Sequence, residues 1–116
     1  MVRILVDFAI QEGQLDAFED IALQMIAISQ QELGILGYQW YLSADRTRCR
    51  IIGAYADEES VLEHFSGQAL HDSVTKLLEH SSANRFEVYG DPGPQASALL
   101  VSFGAEIFAS WHGFIL

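Results

Sequence analysis

The stretch YADEESVLEHF, residues 55–65, sets a histidine into a helix that opens on acidic residues, with Phe65 beside it. An imidazole titrates near neutrality, so His64 is the side chain here best suited to take up or release a proton. A helix histidine can equally be packed, donating to a carbonyl at a helix joint, and both readings stay open at this point. Arg46, Arg48 and Arg50 fall within five residues. The last two share one strand face, because strand side chains alternate with period two. They form either an anion site or a hairpin rim paired with nearby acids, and the absence of interleaved aromatics favours the rim. His71 and His80 lie about two and a half helical turns apart, so they face nearly opposite sides and make no metal pair with His64. Cys49 is the single cysteine. It has neither a disulfide partner nor metal-ligand spacing, and burial in a strand makes it inert. GDPGP, residues 90–94, lacks the lysine of a phosphate loop, and no G-x-S-x-G occurs. No metal and no bound cofactor are expected.

The scaffold for these residues is bounded by composition. A chain of 116 residues that is 50% hydrophobic is one domain with enough apolar material for its own core. Its longest apolar runs, such as ALLV at 98–101, are far shorter than the roughly 20 residues of a membrane helix. Asp7 interrupts the N-terminal MVRILVDFAI, which reads as a strand and not as a signal peptide. A cytoplasmic protein is expected. Sixteen acids against six bases give a formal charge of −10, which repels phosphate backbones and anionic lipid, so neither nucleic acid nor membrane is an expected partner.

The order of elements follows from periodicity. VRILVDFAI predicts a first strand over about 2–10. From Leu15, the apolar positions Phe18, Ala22, Met25 and Ile26 keep helical spacing, and Gly34 is the expected stop. ILGYQWYLS and RCRIIGAYA flank the polar connector ADRT and predict an antiparallel hairpin. In its first strand Leu36, Tyr38, Trp40 and Leu42 share a face; in its second, Cys49, Ile51, Gly53 and Tyr55 do. Asp57 caps a short helix, and Ser66 and Gly67 join it to a second in which Leu70, Val74, Leu77 and Leu78 recur at helical spacing. A fourth strand over about 83–90 ends at DPGP.

That order, β-α-β twice, predicts an α+β ferredoxin-like plait with a four-stranded antiparallel sheet and helices on one face. The other face also carries apolar residues, and the mean hydropathy is +0.16, so a homodimer closing sheet on sheet is expected. Residues 93–116 form an extension to the 1–92 core: a helix over about 95–103, a turn at Gly104 and a strand through Ile107 and Phe108, covering an edge strand or the partner subunit. Trp111 and His112 either cap a pocket or anchor the terminus.

LGYQWYLSADRTRCRIIGAYADEESVLEHFSGQAL, residues 36–70, resembles the antibiotic biosynthesis monooxygenase-like family of dimeric α+β barrel proteins. The shared pattern is an aromatic strand, a hairpin, a second strand ending in an aromatic, an acidic opening such as DEES and a histidine soon after. The resemblance implies a pocket in each subunit between sheet and helices. It implies a cofactor-independent monooxygenase acting on a small quinol- or anthrone-type aromatic, with His64 as the catalytic acid/base and Tyr38, Trp40, Tyr55 and Phe65 around the substrate. Such an enzyme removes a proton from an electron-rich substrate, whose anion reduces O₂ directly. The first strand offers only Asp7 where some such oxygenases place an amide, and Ser73 and Val74 stand near the place of the axial histidine of haem-degrading members. The alternative is a non-catalytic dimeric module, ligand-binding or stress-associated, with the same pocket. An open apolar space around His64 favours the enzyme; Met25, Phe65 and Leu78 filling that space favours the module.

Overall fold

Strand β1, Val2–Ile10, opens the chain, and a turn through Gly13 leads into helix α1, Leu15–Ser29. The hairpin strands are β2, Ile35–Leu42, and β3, Arg48–Tyr55. Two short helices follow, α2 at Glu58–Ser66 and α3 at Gln68–Leu77, before strand β4, Ser81–Tyr89. Helix α4, Pro94–Ser102, and a short strand β5, Glu106–Phe108, complete a computed structural model that describes residues 1–115. The plait expected from the sequence is present, with one addition. The sheet order is β2-β3-β1-β4-β5, and β5 runs parallel to β4, so the sheet is five-stranded and mixed. No helix among the described residues is long and apolar enough to cross a membrane.

Register assigns each strand residue to a face. Ile4 pairs with Gly53, and Val6 with Ile51; with Tyr38 and Trp40 of β2 they look toward the helices. Arg3, Leu5 and Asp7 alternate with them and look away. A register shift between Ile35 and Gly37 leaves Leu36 exposed, apart from the Tyr38–Trp40 face that the sequence pattern grouped it with. Under the helices lie two apolar clusters. Val2, Ile4, Tyr55 and Val61 belong to one, Phe8, Phe18, Met25 and Ile51 to the other, and Val6 packs against both.

The helix-free face carries Asp7, which is 1% exposed. Arg48 Nη2 approaches its Oδ2 at 3.0 Å and Arg50 Nε its Oδ1 at 3.2 Å. These arginines are therefore a paired hairpin rim, as the sequence favoured. Cys49 is buried, and burial pushes its thiol up to about 11, far from the thiolate a nucleophile needs.

The acidic opening of α2 has two structural tasks. Asp57 Oδ1 accepts from the Ser60 amide at 2.9 Å while Ser60 Oγ accepts from the Asp57 amide at 3.1 Å, a closed capping box. Glu58 reaches to the C-terminal unit, where its Oε2 accepts from the amides of Gln95 (2.9 Å) and Ala96 (3.1 Å). A carboxylate at those free N–H groups satisfies the start of α4 and sits at the positive end of its dipole. Replacing Glu58 with alanine is expected to cost about 1 kcal/mol and to lower Tm by a few degrees in thermal denaturation. Glu58→Gln, which keeps an acceptor, should lose roughly half of that.

Candidate active site

A cavity of about 240 Å³ lies between sheet and helices where the two apolar clusters meet. Its walls are almost wholly apolar, and His64, Tyr38, Tyr55 and Phe65 are among the lining residues. Met25, Phe65 and Leu78 line the space and do not fill it. Trp40 is placed elsewhere. One step along the same strand face, it packs edge-on against Phe18 and Tyr38 at ring separations of 6.1 and 6.2 Å, outside the cavity lining. Trp111 is 87% exposed and close to His112, and neither touches the cavity.

The capping box fixes the start of α2, so helical periodicity turns Ser60, Val61 and His64 inward together. His64 is 3% exposed, enclosed by Tyr55, Tyr38 and Phe65 at ring separations of 5.4, 5.5 and 4.8 Å. Its Nδ1 lies 2.8 Å from Glu32 Oε2, which leaves Nε2 for a ligand. Burial lowers the pKa of His64 from the ordinary histidine value, and the hydrogen bond and charge of Glu32 offset this in part. The imidazole is therefore neutral at pH 7 and ready to accept a proton. Burial pushes the phenol of Tyr55 well above the tyrosine range and raises that of Tyr38, so both keep their protons as donors. Ser29 Oγ and Trp40 Nε1 are buried beside the Tyr38 hydroxyl, and their polar contact offsets part of the effect of burial on it.

Glu32 is the site residue that periodicity missed. Helix α1 stops at Ser29, before the expected Gly34, and a turn through Gln31 and Glu32 carries the carboxylate back to α2. Gly34 is a close-approach residue and not a helix stop. A Cβ placed there would overlap Ser60, and the Ala56 amide donates to the Gly34 carbonyl at 2.9 Å, so the Glu32 turn lies flush against the helix of His64. Gly34→Ala should force these apart at a cost of about 1–3 kcal/mol. The pKa of His64, read by NMR titration, should then fall below the native value because the support of Glu32 weakens.

The remaining histidines separate. His80 Nδ1 is 2.8 Å from Gln14 Oε1, a structural contact. His71 is exposed yet stands at the cavity lining. Among the described residues no three His, Cys, Asp or Glu side chains gather as a metal site.

A family model described as antibiotic biosynthesis monooxygenase matches residues 1–76. No curated protein matches the chain. Among solved structures, MupZ from Pseudomonas fluorescens aligns over 99% of this chain and 93% of its own, at TM-score 0.83 and 21% identity. SnoaB from Streptomyces nogalater, a cofactor-independent oxygenase, aligns over 78% and 91% at TM-score 0.69 and 14% identity. A conserved protein of Methanosarcina mazei Go1 aligns over 75% and 86% at TM-score 0.67 and 16% identity. At these identities the likeness is one of fold.

Proposed function

This chain belongs to the antibiotic biosynthesis monooxygenase family, and from that membership we propose that it oxidises a small quinol- or anthrone-type aromatic with O₂, without a cofactor, in the cavity beneath its helices. The observation that carries this reading is the neutral His64, held by Glu32 at Nδ1 and facing an apolar hollow. An apolar wall strengthens the electrostatics of proton transfer and excludes water from a reactive carbanion. Glu32 keeps the proton on Nδ1, so that Nε2 is the base.

For a substrate methylene, that of an anthrone or of the keto tautomer of a quinol or naphthol, the balance is R₂CH₂ + O₂ → R₂C=O + H₂O. His64 takes the first C–H proton, and the electron pair left on carbon forms the bond to O₂. The proton returns to the outer peroxide oxygen. The second C–H pair becomes the carbonyl π bond as the O–O bond breaks, and the departing hydroxide and proton leave as water. Tyr55, protonated, can donate to the substrate oxygen that gains charge in the first step, while Tyr38, whose hydroxyl lies toward Ser29 and Trp40, supplies a wall. Trp40 would act through Tyr38, holding it from behind.

The reading includes a homodimer closed through the helix-free face. Register places Arg3, Arg48, Arg50 and Arg85 on that face of the core strands with Asp7 and Glu87. With Glu106 of β5 opposite Glu87, four of the six bases but only three of the sixteen acids therefore stand on that face of the sheet. Two copies of so acidic a chain repel everywhere else, and this is the face on which they can meet without like charge dominating. Leu5, Ile52 and Ala54 supply the apolar area between the ion pairs.

The test is oxygen uptake with a panel of hydroquinones and anthrones, comparing the native protein with His64→Ala. Uptake that depends on His64 supports the enzyme. A non-catalytic binding module would bind members of the panel and consume no oxygen.

A further inference from the structure

The cavity has a floor and a rim built from different parts of the chain. Its floor is made by buried residues, with Ile51, Tyr55 and His64 among them. Its rim is made by lining residues that are themselves exposed: His71, Leu78, Ala83 and Phe103. Phe103 comes from the C-terminal unit, outside the 1–76 stretch that the family model matches. Glu58 ties the start of that unit to α2, and Ala96 and Leu100 are wholly buried beneath it. At its far end the Phe103 amide closes the helix on the Leu100 carbonyl at 3.1 Å, Gly104, at φ +94°, turns the chain away, and β5 then pairs with β4. The aromatic ring is thus delivered to the rim by a helix anchored at both ends.

We propose that Phe103 is the size filter of this site, closing the rim so that the cavity takes ligands of one or two fused rings and turns away three. The inference rests on the reading that this cavity is the substrate site. A closed apolar cavity of about 150 Å³ accommodates one benzene; in the same proportion about 240 Å³ encloses two fused rings, and a third extends past the rim. A third ring would have to cross the rim where Phe103 and Leu78 stand. Naphthalene-sized quinols and naphthols are therefore the preferred class, ahead of three-ring anthrones.

The experiment is anaerobic calorimetric titration with phenol, 2-naphthol and 2-anthrol, which separates binding from turnover. Apolar burial alone predicts that each added ring tightens binding. The native protein should instead bind 2-naphthol most tightly and 2-anthrol at least tenfold more weakly. Phe103→Ala should abolish that tenfold penalty, and Phe103→Leu, which disturbs packing less, should reduce it. Val101→Ala, an exposed change on the same helix, should leave the preference unchanged. A native protein that binds 2-anthrol more tightly than 2-naphthol overturns the filter while leaving the cavity as the substrate site. A preference that persists in both Phe103 variants overturns the assignment to Phe103. Failure of native protein and variants alike to bind any of the three compounds overturns the cavity reading itself.

Discussion

Substituting His64 with alanine should lower substrate-dependent oxygen uptake by about 10²–10⁴-fold at pH 7.5, the usual contribution of a positioned general base. Binding of the same aromatic, measured without oxygen, should change little, because the cavity walls are otherwise intact. The pH profile gives a sharper check. The proposed mechanism requires neutral imidazole, so the rate should rise with pH through the pKa of His64 and then level off. Burial holds that pKa below the ordinary histidine value, so the plateau should already be reached at pH 7. Glu32→Gln removes the charge that raises the His64 pKa, and the rising limb should move to still lower pH while the plateau rate falls. A Glu32 that merely filled space would leave the limb where it is.

The same shift enters stability with a definite sign. The unfolded chain carries a histidine near 6.5, whereas the folded one resists protonation. Between the two values the unfolded state holds more protons. The contribution of this group is therefore complete above about pH 6.5 and is lost as the pH falls through the folded pKa. Denaturant midpoints should decline on acidification toward that pKa more steeply in the native protein than in His64→Ala. Oxygen uptake that survives the substitution would take His64 out of the chemistry, and a native protein inert toward every quinol and anthrone would leave the binding module as the better account.

The strands and helices were legible because each rests on local pattern: β-branched runs for β1 and β3, an N-cap at Asp57, prolines and glycine at DPGP. His64 was legible for the same reason, since a histidine behind a capping box has a predictable direction. Glu32 was not. Periodicity carried α1 on to Gly34, which turned the Glu32 turn into an imagined last helical turn, and no local signal marks a carboxylate whose partner lies 32 residues away. Phe103 escaped for a related reason. The helix that bears it was anticipated, but its seat depends on the contact from Glu58, and nothing in the order of residues tells an acid that opens one helix from an acid that also caps another. Trp40 carried the opposite lesson: its strand face was read correctly, and only the position of α1, through Phe18, decides that it packs beside the cavity and not into it.

Ile52→Glu should turn the proposed homodimer into monomer. Ile52 lies opposite Leu5 of β1 and Gln39 of β2, on the helix-free face, and remains partly exposed in a single copy. Because a two-fold interface presents the same patch from both sides, one substitution introduces two carboxylates and removes two apolar contacts. Asp7 already engages Arg48 and Arg50, and Glu87 engages Arg85, so the added carboxylates meet each other and not free cations. Like charges brought together across an interface cost several kcal/mol, and about 3 kcal/mol weakens association by roughly a hundredfold. Analytical ultracentrifugation at micromolar concentration should show the native chain as a dimer and the variant as a folded monomer, with circular dichroism confirming the fold. Ile52→Lys is the discriminating companion. An added cation two residues from Arg50 on the same strand face should disrupt the same interface, and raised salt should restore it in part, since these charges lie near the surface and are screened. If instead the face stays wet, the native chain will sediment as a single copy, and both substitutions will leave its mass unchanged. The ion pairs of Asp7 would then be holding a solvent-facing sheet together, with no partner to receive its apolar area.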